Sequence, residues 1–224
     1  MSATRRLEFL RWAHAVDAWI FEDDYDGEFR FSGRPLAALR SLDTTDGCVI
    51  YASSFSKVLF PTLRLGYMVV PRRLTAPLAA ARSLIDRYPP VLNQAILCDF
   101  ITEGHFGHHL RRMRELYAAK LEVLMTSARA ELDGLLRLVP TRAGLQTIGW
   151  LERSIDANAA ERAAAERAIE VTSLSRFAIR RAVRPGLMLG FGLADERAIR
   201  RGVGELASVL RHLIPATARR PSTR

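Results

Sequence analysis

The fold of this chain is decided by one stretch, Ser53-Ser54-Phe55-Ser56-Lys57-Val58-Leu59-Phe60-Pro61-Thr62-Leu63-Arg64. It places a lysine in a serine-rich turn and an arginine seven residues later. The preceding run Val49-Ile50-Tyr51-Ala52 predicts a buried strand, and the run from Leu63 to Val70 predicts a second strand that ends at Pro71. Two strands are therefore predicted to meet at Lys57.

A carboxylate cluster lies upstream of this lysine. The apolar run Ala18-Trp19-Ile20-Phe21 leads into Glu22-Asp23-Asp24-Tyr25-Asp26-Gly27-Glu28. Such a run is typical of a buried strand whose carboxyl end carries polar chemistry. A lysine that bonds to an aldehyde cofactor needs a carboxylate for a ring nitrogen, donors for a phosphate and a hydroxyl for a ring oxygen. The two segments supply candidates for each of these roles.

With these residues the chain resembles the fold-type-I PLP-dependent aminotransferases, and most closely the aminotransferase-like domain of MocR-type transcriptional regulators of the GntR superfamily. The resemblance extends over nearly the whole chain. It rests on an ordered series of motifs: Glu22 to Arg30, Gly33-Arg34-Pro35-Leu36, Phe55-Ser56-Lys57, Pro61, Leu63-Arg64-Leu65-Gly66-Tyr67, Glu103-Gly104-His105-Phe106, His109, Arg112-Met113-Arg114, Ala143-Gly144-Leu145, Leu174-Ser175-Arg176-Phe177 and Leu189-Gly190-Phe191.

The resemblance implies an α/β fold with part of the large PLP-binding domain, which has a mostly parallel sheet, and a small α+β carboxyl-terminal domain. It also assigns roles around pyridoxal 5'-phosphate (PLP). Lys57 is the catalytic lysine that bonds to the cofactor, Asp23 contacts its pyridine nitrogen, and Tyr25 contacts its phenolic oxygen. Ser54 and Arg64 hold its phosphate.

A further arginine, Arg176, matches the family's residue that binds the substrate carboxylate. Three other arginines crowd the same stretch: Arg180, Arg181 and Arg184. The sequence departs from the family pattern at two places, where Ser53-Ser54 replaces glycine-threonine and Gln146 replaces a histidine. The Ser54 hydroxyl still preserves a phosphate donor.

The front of the chain differs from the family. MocR-type proteins begin with a winged helix DNA-binding domain, and their aminotransferase fold starts well before the strand that here begins close to Met1. The resemblance therefore implies an amino-terminal truncation. The missing part would contain the DNA-binding domain, a glycine-rich helix N-terminus that binds the PLP phosphate and an aromatic ring that stacks on the pyridine. We expect such a truncation to leave an open strand edge and a bare apolar face that includes Ile20, Val49 and Ile50.

The composition is that of a globular protein, and we expect it in the cytoplasm. The chain has 224 residues, 49% hydrophobic residues and a net charge of +9, and no apolar run reaches the roughly 18 residues that span a bilayer. The basic residues are spread over several helices, which argues against nucleic-acid binding by this chain itself. DNA is therefore expected as a partner only through the absent winged helix.

We predict no metal site. His105, His108 and His109 have helical spacing, but no acidic or cysteine ligand lies beside them in a helix-compatible pattern, which favours a surface cluster at a helix start. Cys48 and Cys98 lie far apart in sequence. Both are predicted to be buried thiols and not a disulfide or a metal pair.

The remaining pattern predicts three regions: residues 1–104 as the carboxyl-terminal part of the large PLP-binding domain, 105–215 as a long helix with the small domain, and 216–224 as a disordered tail. The small domain is expected to be βαβ-like. The periodicity predicts helices at Arg5–Asp17, Leu74–Asp86, Asn93–Thr102, Phe106–Leu132, Asp156–Glu170 and Glu196–Leu213, and further strands at Leu135–Pro140, Leu145–Leu151 and Leu187–Leu193.

Three functional hypotheses follow from the resemblance. The first is a PLP-binding effector domain of a MocR-type regulator, a homodimer at full length, that responds to an amino acid or amine. The second is a catalytic class I aminotransferase in which Lys57 moves the substrate's proton. The third is a truncated remnant without function.

Overall fold

The computed structural model describes residues 1–25, 27–33, 37–43, 47–152, 154–180 and 183–214. Its contacts divide the chain into two compact units, Met1–Glu28 with Gly33–Arg111, and Phe29–Ser32 with Arg112–Arg224. Several sequence features lie outside the described residues: Asp26, Arg34 to Leu36, Arg181 and the tail 216–224. The domain division predicted between residues 104 and 105 stays a prediction.

The first unit combines a three-stranded sheet with helices. The strands are β1 (Ile20–Asp23), β2 (Val49–Ser54) and β3 (Gly66–Val69), and the helices are α1 (Ala3–Ala15), α2 (Leu39–Leu42), α3 (Arg72–Ile85), α4 (Val91–Thr102) and the start of α5 (His105–Glu131). Strand β2 lies in the middle, parallel to β1 and antiparallel to β3. The order of helix, strand, connection and strand predicted from the sequence is confirmed.

The third strand begins later than predicted. Residues Pro61–Leu63 form a short 3₁₀ helix, Arg64 has a left-handed backbone with φ of 53°, and pairing with β2 starts at Gly66. The prediction of a strand from Leu63 was wrong because an apolar run has the same appearance in a strand and in a buried turn. Leu63 is indeed buried, but in the turn.

One face of this sheet is covered and the other is not. Ile20 and Val49 are buried in a cluster with Leu10, Ala13, Leu39 and Cys48. The expectation that Ile20 and Val49 would be bare was therefore wrong, because α1 and α2 pack on their face. Side chains alternate along a strand, so Phe21 and Ile50 lie on the opposite face, where Phe21 is 63% exposed and Ile50 is half-buried.

The second unit contains a four-stranded antiparallel sheet. Its elements are most of α5, β4 (Leu136–Leu138), β5 (Gln146–Leu151), α6 (Ala157–Ala165), β6 (Val171–Ser173), β7 (Gly186–Gly190) and α7 (Glu196–Leu213). The sheet order is β4-β5-β7-β6. Strands β5 and β6 both pair antiparallel with β7, so β5, α6 and β6 form a split βαβ unit with β7 between its strands. Strand β6 had not been predicted.

The core of the second unit depends on α7, whose bounds the periodicity predicted correctly. Asp195 caps the helix by accepting a hydrogen bond from the amide of Ala198 at 2.7 Å. The side chains that α7 adds to the core cluster recur three or four residues apart, as one helix face requires: Ile199, Val203, Leu206, Ala207 and Leu210. Among the described residues, no helix is both long enough and apolar enough to cross a membrane.

The short segment Phe29–Ser32 joins this second unit directly after the carboxylate cluster. Arg30 forms a β-bridge with Ala143, and the carbonyl oxygen of Phe29 accepts from the amide of Gly144 at 2.9 Å. The Phe29 ring is fully buried and meets the ring of Tyr117 edge to face, with centroids 4.9 Å apart. Backbone pairing and aromatic packing therefore both anchor this segment.

Candidate functional site

The register of the parallel strands brings Asp23 and Ser54 to the same face of the sheet, at the carboxyl ends of β1 and β2. Asp23 lies opposite Ala52 at the carboxyl end of β1, and Ser54 ends β2 two residues beyond Ala52. Since side chains alternate, Asp23, Ala52 and Ser54 share a face. The carboxyl ends of parallel strands are where open α/β sheets bind ligands. Lys57 follows in the turn that leaves the same end of β2.

The three consecutive carboxylates at the end of β1, Glu22, Asp23 and the following Asp24, have different surroundings. Glu22 accepts from the backbone amides of Leu39 and Arg40 at 2.8 and 3.0 Å and so holds the start of α2. Asp24 accepts from the Tyr51 hydroxyl at 3.1 Å. No hydrogen bond or ion pair from any described residue reaches the side-chain carboxylate of Asp23, although its backbone pairs with β2, and Asp23 is exposed. Asp23 is therefore the carboxylate left available for a ligand.

Tyr51 remains a hydrogen-bond donor because burial raises the pKa of its phenol well above the ordinary value. Its neutral hydroxyl keeps Asp24 on the covered side of the sheet. Tyr25 lies two residues beyond β1 and is exposed. The contacts of the described residues do not join Tyr25 to Lys57, so its role at a cofactor oxygen stays a prediction.

The two serines at the end of β2 point in opposite directions. Ser53 donates to the carbonyl oxygen of Asp24 at 2.7 Å, on the face opposite Ser54. The Ser54 hydroxyl oxygen accepts from the amide of Ser56 at 3.1 Å, which leaves its hydrogen free to donate. The side chain present where the family has glycine is thus directed away from the Ser54 face.

Lys57 and Arg64 lie in two adjoining turns that are closed by the backbone. The amide of Leu59 donates to the carbonyl of Phe55 at 2.8 Å, and the amide of Phe55 donates to the carbonyl of Leu65 at 3.0 Å. The side chains of Lys57 and Arg64 are exposed, and neither has an ion-pair partner among the described residues. Both cations are therefore available to an anionic or carbonyl ligand.

The chain contains only one other lysine, Lys120. Its amino group lies in the second unit, where it donates to the carbonyl oxygen of Gly192 at 2.8 Å and lies 5.7 Å from the centre of the Tyr117 ring. Lys120 is thus occupied by structural contacts. Of the two lysines, Lys57 is the one whose amino group has no partner within the described part of the chain.

Sequence reasoning missed two residues that hold these turns. The His109 ring donates through Nε2 to the carbonyl oxygen of Val58, next to Lys57, at 2.8 Å. The Asn93 amide donates to the carbonyl oxygen of Leu63, next to Arg64, at 3.2 Å. The prediction of a surface histidine cluster is therefore wrong for His109, which is half-buried. Its contact joins residues 51 positions apart, and no local pattern signals it.

Arg176 lies in the second unit, in the 3₁₀ helix Leu174–Phe177 that follows β6. Its guanidinium is 3.0 Å from the carboxylate of Glu161, a residue of α6. That carboxylate also accepts from the amide of Ser173 at 3.3 Å. The neighbouring Arg184 stacks over the Trp150 ring at 5.3 Å, and Arg180 is exposed. Arg176 is thus oriented by a carboxylate while most of its side chain stays accessible.

Comparisons with known proteins agree with this arrangement. The probable rhizopine catabolism regulatory protein MocR of Rhizobium meliloti is 40% identical over 203 residues, which are 91% of this chain and 41% of that protein. The uncharacterized HTH-type transcriptional regulator YhdI of Bacillus subtilis is 36% identical over 214 residues, which are 96% of this chain and 45% of that protein. The chain thus spans less than half the length of each regulator. No protein-family model matches the chain.

Solved structures define the class of fold. The kynurenine aminotransferase of Pyrococcus horikoshii, solved with PMP, superposes with a TM-score of 0.87 at 25% identity, over 96% of this chain and 53% of that protein. The chain therefore has the fold of the fold-type-I aminotransferases, and its relatives include MocR-type regulators as well as PLP aminotransferases. It corresponds to the aminotransferase-like part of these relatives.

Proposed function

We propose that this chain is the PLP-binding, aminotransferase-like effector domain of a MocR-type transcriptional regulator. The observation that carries the proposal is the difference between the three carboxylates at the end of β1, of which only Asp23 has no side-chain partner among the described residues. Glu22 and Asp24 accept hydrogen bonds from the α2 backbone and from Tyr51. Asp23 instead lies on the open face of the sheet together with Ser54, at the carboxyl ends of the two strands. The similarity to MocR of Rhizobium meliloti supports a regulator.

The donor set at this edge fits PLP. Lys57 offers an amino group without a competing partner among the described residues, as a bond to an aldehyde carbon requires. Ser54 and Arg64 offer a hydroxyl and a guanidinium to a phosphate. Asp23 offers a carboxylate to a protonated ring nitrogen. When bound, PLP supplies an electron sink for bonds at an amino acid's α-carbon.

The remaining parts of the proposal concern partners. An amino acid or related amine is the proposed effector, and its carboxylate would be bound by Arg176 in a bidentate pair. DNA is proposed to be contacted through a separate winged helix domain of the full-length protein, which is proposed to be a homodimer. The exposed face around Phe21 is proposed to be covered by another part of that protein, since sheets with parallel strands are usually covered on both faces.

A catalytic aminotransferase is the second candidate. It is favoured by the likeness to the Pyrococcus horikoshii enzyme over 96% of this chain. In that case Lys57 would also carry the proton between the substrate and the cofactor. The two candidates share one cofactor site and differ in what the full-length protein does with its ligand.

We expect the full-length protein to bind its own promoter DNA and to change its affinity for it about tenfold on adding PLP or PLP with an amino acid, within the usual range of allosteric coupling. Fluorescence anisotropy measures this affinity, and a coupled assay with a keto acid acceptor measures turnover. Multiple turnovers without DNA binding would favour the catalytic aminotransferase over the regulator. A folded protein that neither binds DNA nor turns over amino acids would favour the remnant without function.

Arg176→Lys in the full-length protein is expected to weaken amino acid binding about tenfold, because lysine cannot form the bidentate fork. The PLP dissociation constant should change less than about twofold, since the cofactor contacts are elsewhere in the proposal. Absorbance titrations with PLP and then with amino acids measure both constants. Arg180→Lys is the matched control and should change neither. Equal losses of PLP and amino acid binding would make Arg176 a structural residue.

A further inference from the structure

A second cluster of chemically active side chains lies in the first unit, away from the strand ends that hold Asp23 and Ser54. His14 is near the end of α1, Asp43 directly follows α2, and Cys48 directly precedes β2. The His14 Nε2 atom is 3.0 Å from Asp43 Oδ1 and 3.8 Å from Cys48 Sγ. One donor atom from each of the three residues lies within 4.8 Å of the others.

The fold fixes two of these groups and leaves the third accessible. Asp43 Oδ2 accepts from the backbone amides of Cys48 and Val49 at 2.8 and 3.0 Å, which directs Oδ1 toward His14. The Asp43 side chain is fully buried, and Cys48 is buried as well. The His14 side chain is 43% exposed. The cluster is therefore a rigid buried pair with a solvent-accessible imidazole at its entrance.

A cysteine nucleophile activated by histidine does not explain this geometry. In such a triad the two nitrogens of the imidazole contact different partners, one the nucleophile and the other the orienting carboxylate. Here a single nitrogen, Nε2, is close to both Asp43 and Cys48.

The geometry fits a small cation in place of a proton. Tetrahedral Zn²⁺ with bond lengths of about 2.3 Å to sulfur and about 2.0 Å to nitrogen or oxygen separates S from N by about 3.5 Å, and N from O by about 3.3 Å. The observed 3.8 and 3.0 Å each differ from these separations by a few tenths of an ångström. The third separation, from Cys48 Sγ to the Asp43 carboxylate, is within 4.8 Å, and a shared ion would draw these two atoms to about 3.5 Å. A thiolate and a carboxylate together also balance the charge of a divalent cation.

We propose that His14, Asp43 and Cys48 form a Zn²⁺ site that joins α1 to the start of the central strand β2. The ligands are His14 Nε2, Asp43 Oδ1 and Cys48 Sγ, and water occupies the fourth position on the exposed side. Binding breaks the Cys48 S–H bond, forms an S–Zn bond and releases one proton to solvent. His14 binds as the neutral imidazole with its hydrogen on Nδ1. Two backbone amides donate hydrogen bonds to the other oxygen of Asp43 and so fix the orientation of its carboxylate. Metal-binding side chains are commonly oriented by such hydrogen bonds from residues that do not touch the metal.

The proposal predicts one tight Zn²⁺ ion per chain in the full-length protein, with affinity that rises with pH because the thiol must lose its proton. Zinc itself is titrated against a fluorescent chelator. Cobalt(II) added to the metal-free protein is then expected to give a thiolate-to-cobalt absorption band in the near ultraviolet. Cys48→Ser should remove that band and weaken zinc binding by about 100-fold or more. Even the loss of a residue that only orients a ligand lowers metal affinity by about 10–100-fold.

Two further variants separate the site from general folding effects. Cys98→Ser is the matched control, because Cys98 is the other cysteine and is exposed; it should keep the cobalt band and the zinc affinity. His14→Ala alters an accessible position at a helix end and should weaken zinc binding to a similar extent as Cys48→Ser. A cobalt spectrum without a thiolate band, or zinc affinity unchanged in both His14→Ala and Cys48→Ser, would overturn the proposal.

Discussion

Lys57→Ala is expected to abolish covalent retention of PLP by the full-length protein. Of the two lysines in the chain, Lys57 has no side-chain partner among the residues that the structure describes, whereas Lys120 donates to the carbonyl oxygen of Gly192. Without Lys57 no side chain in the proposed site can bond to the cofactor aldehyde, although Ser54 and Arg64 still offer phosphate contacts. The measurement is the amount of cofactor fixed per chain after borohydride reduction and gel filtration in denaturant.

Lys120→Ala is the matched control for this experiment. It removes the other lysine and should leave the fixed cofactor at the level of the unmutated protein, provided that the fold survives. Circular dichroism of both variants confirms that the fold is retained. Loss of fixed cofactor in Lys120→Ala but not in Lys57→Ala would transfer the role to the second unit.

Phe29→Ala is expected to reduce the free energy of unfolding by about 3–5 kcal/mol, the usual cost of truncating a buried phenylalanine. The ring is fully buried, packs edge to face on Tyr117 and anchors the segment Phe29–Ser32 in the second unit. Urea denaturation followed by tryptophan fluorescence measures the loss, and Trp150 in β5 reports on the second unit.

The control is Phe21→Ala, in the same stretch of chain, and both variants are measured in residues 1–224 alone. Phe21 is 63% exposed in this chain, so its truncation should change the free energy of unfolding by no more than about 0.5 kcal/mol. A similar loss for both variants would contradict the exposure of Phe21 in this chain. A negligible loss for Phe29→Ala would contradict the anchoring of the Phe29–Ser32 segment.

The long helices could be predicted because their apolar periodicity persists over many turns. The bounds predicted for α7 agree with the structure, and α5 was predicted within one residue at each end. Strand β2 was identified by its continuous apolar run. The resemblance directed attention to Lys57, Asp23 and Ser54, and the sheet register then placed the latter two on one face.

Other features depend on contacts that local patterns do not encode. The covering of Ile20 and Val49 depends on where α1 packs, and the contact of His109 with Val58 depends on how α5 meets a distant turn. Cys98, predicted to be buried from its apolar surroundings, is exposed. The three residues of the proposed zinc site come from separate segments, with spacings that match no metal-binding motif.

The central claim is that PLP is held at the carboxyl ends of β1 and β2 with Lys57 as its point of attachment. Peptide mapping tests it most directly. The full-length protein is incubated with PLP, reduced with borohydride, digested and analysed by mass spectrometry. The account predicts a pyridoxyl phosphate group on the peptide that contains Lys57, at about one per chain, with Lys120 unmodified. Modification of Lys120 alone, or of both lysines to the same extent, would contradict it.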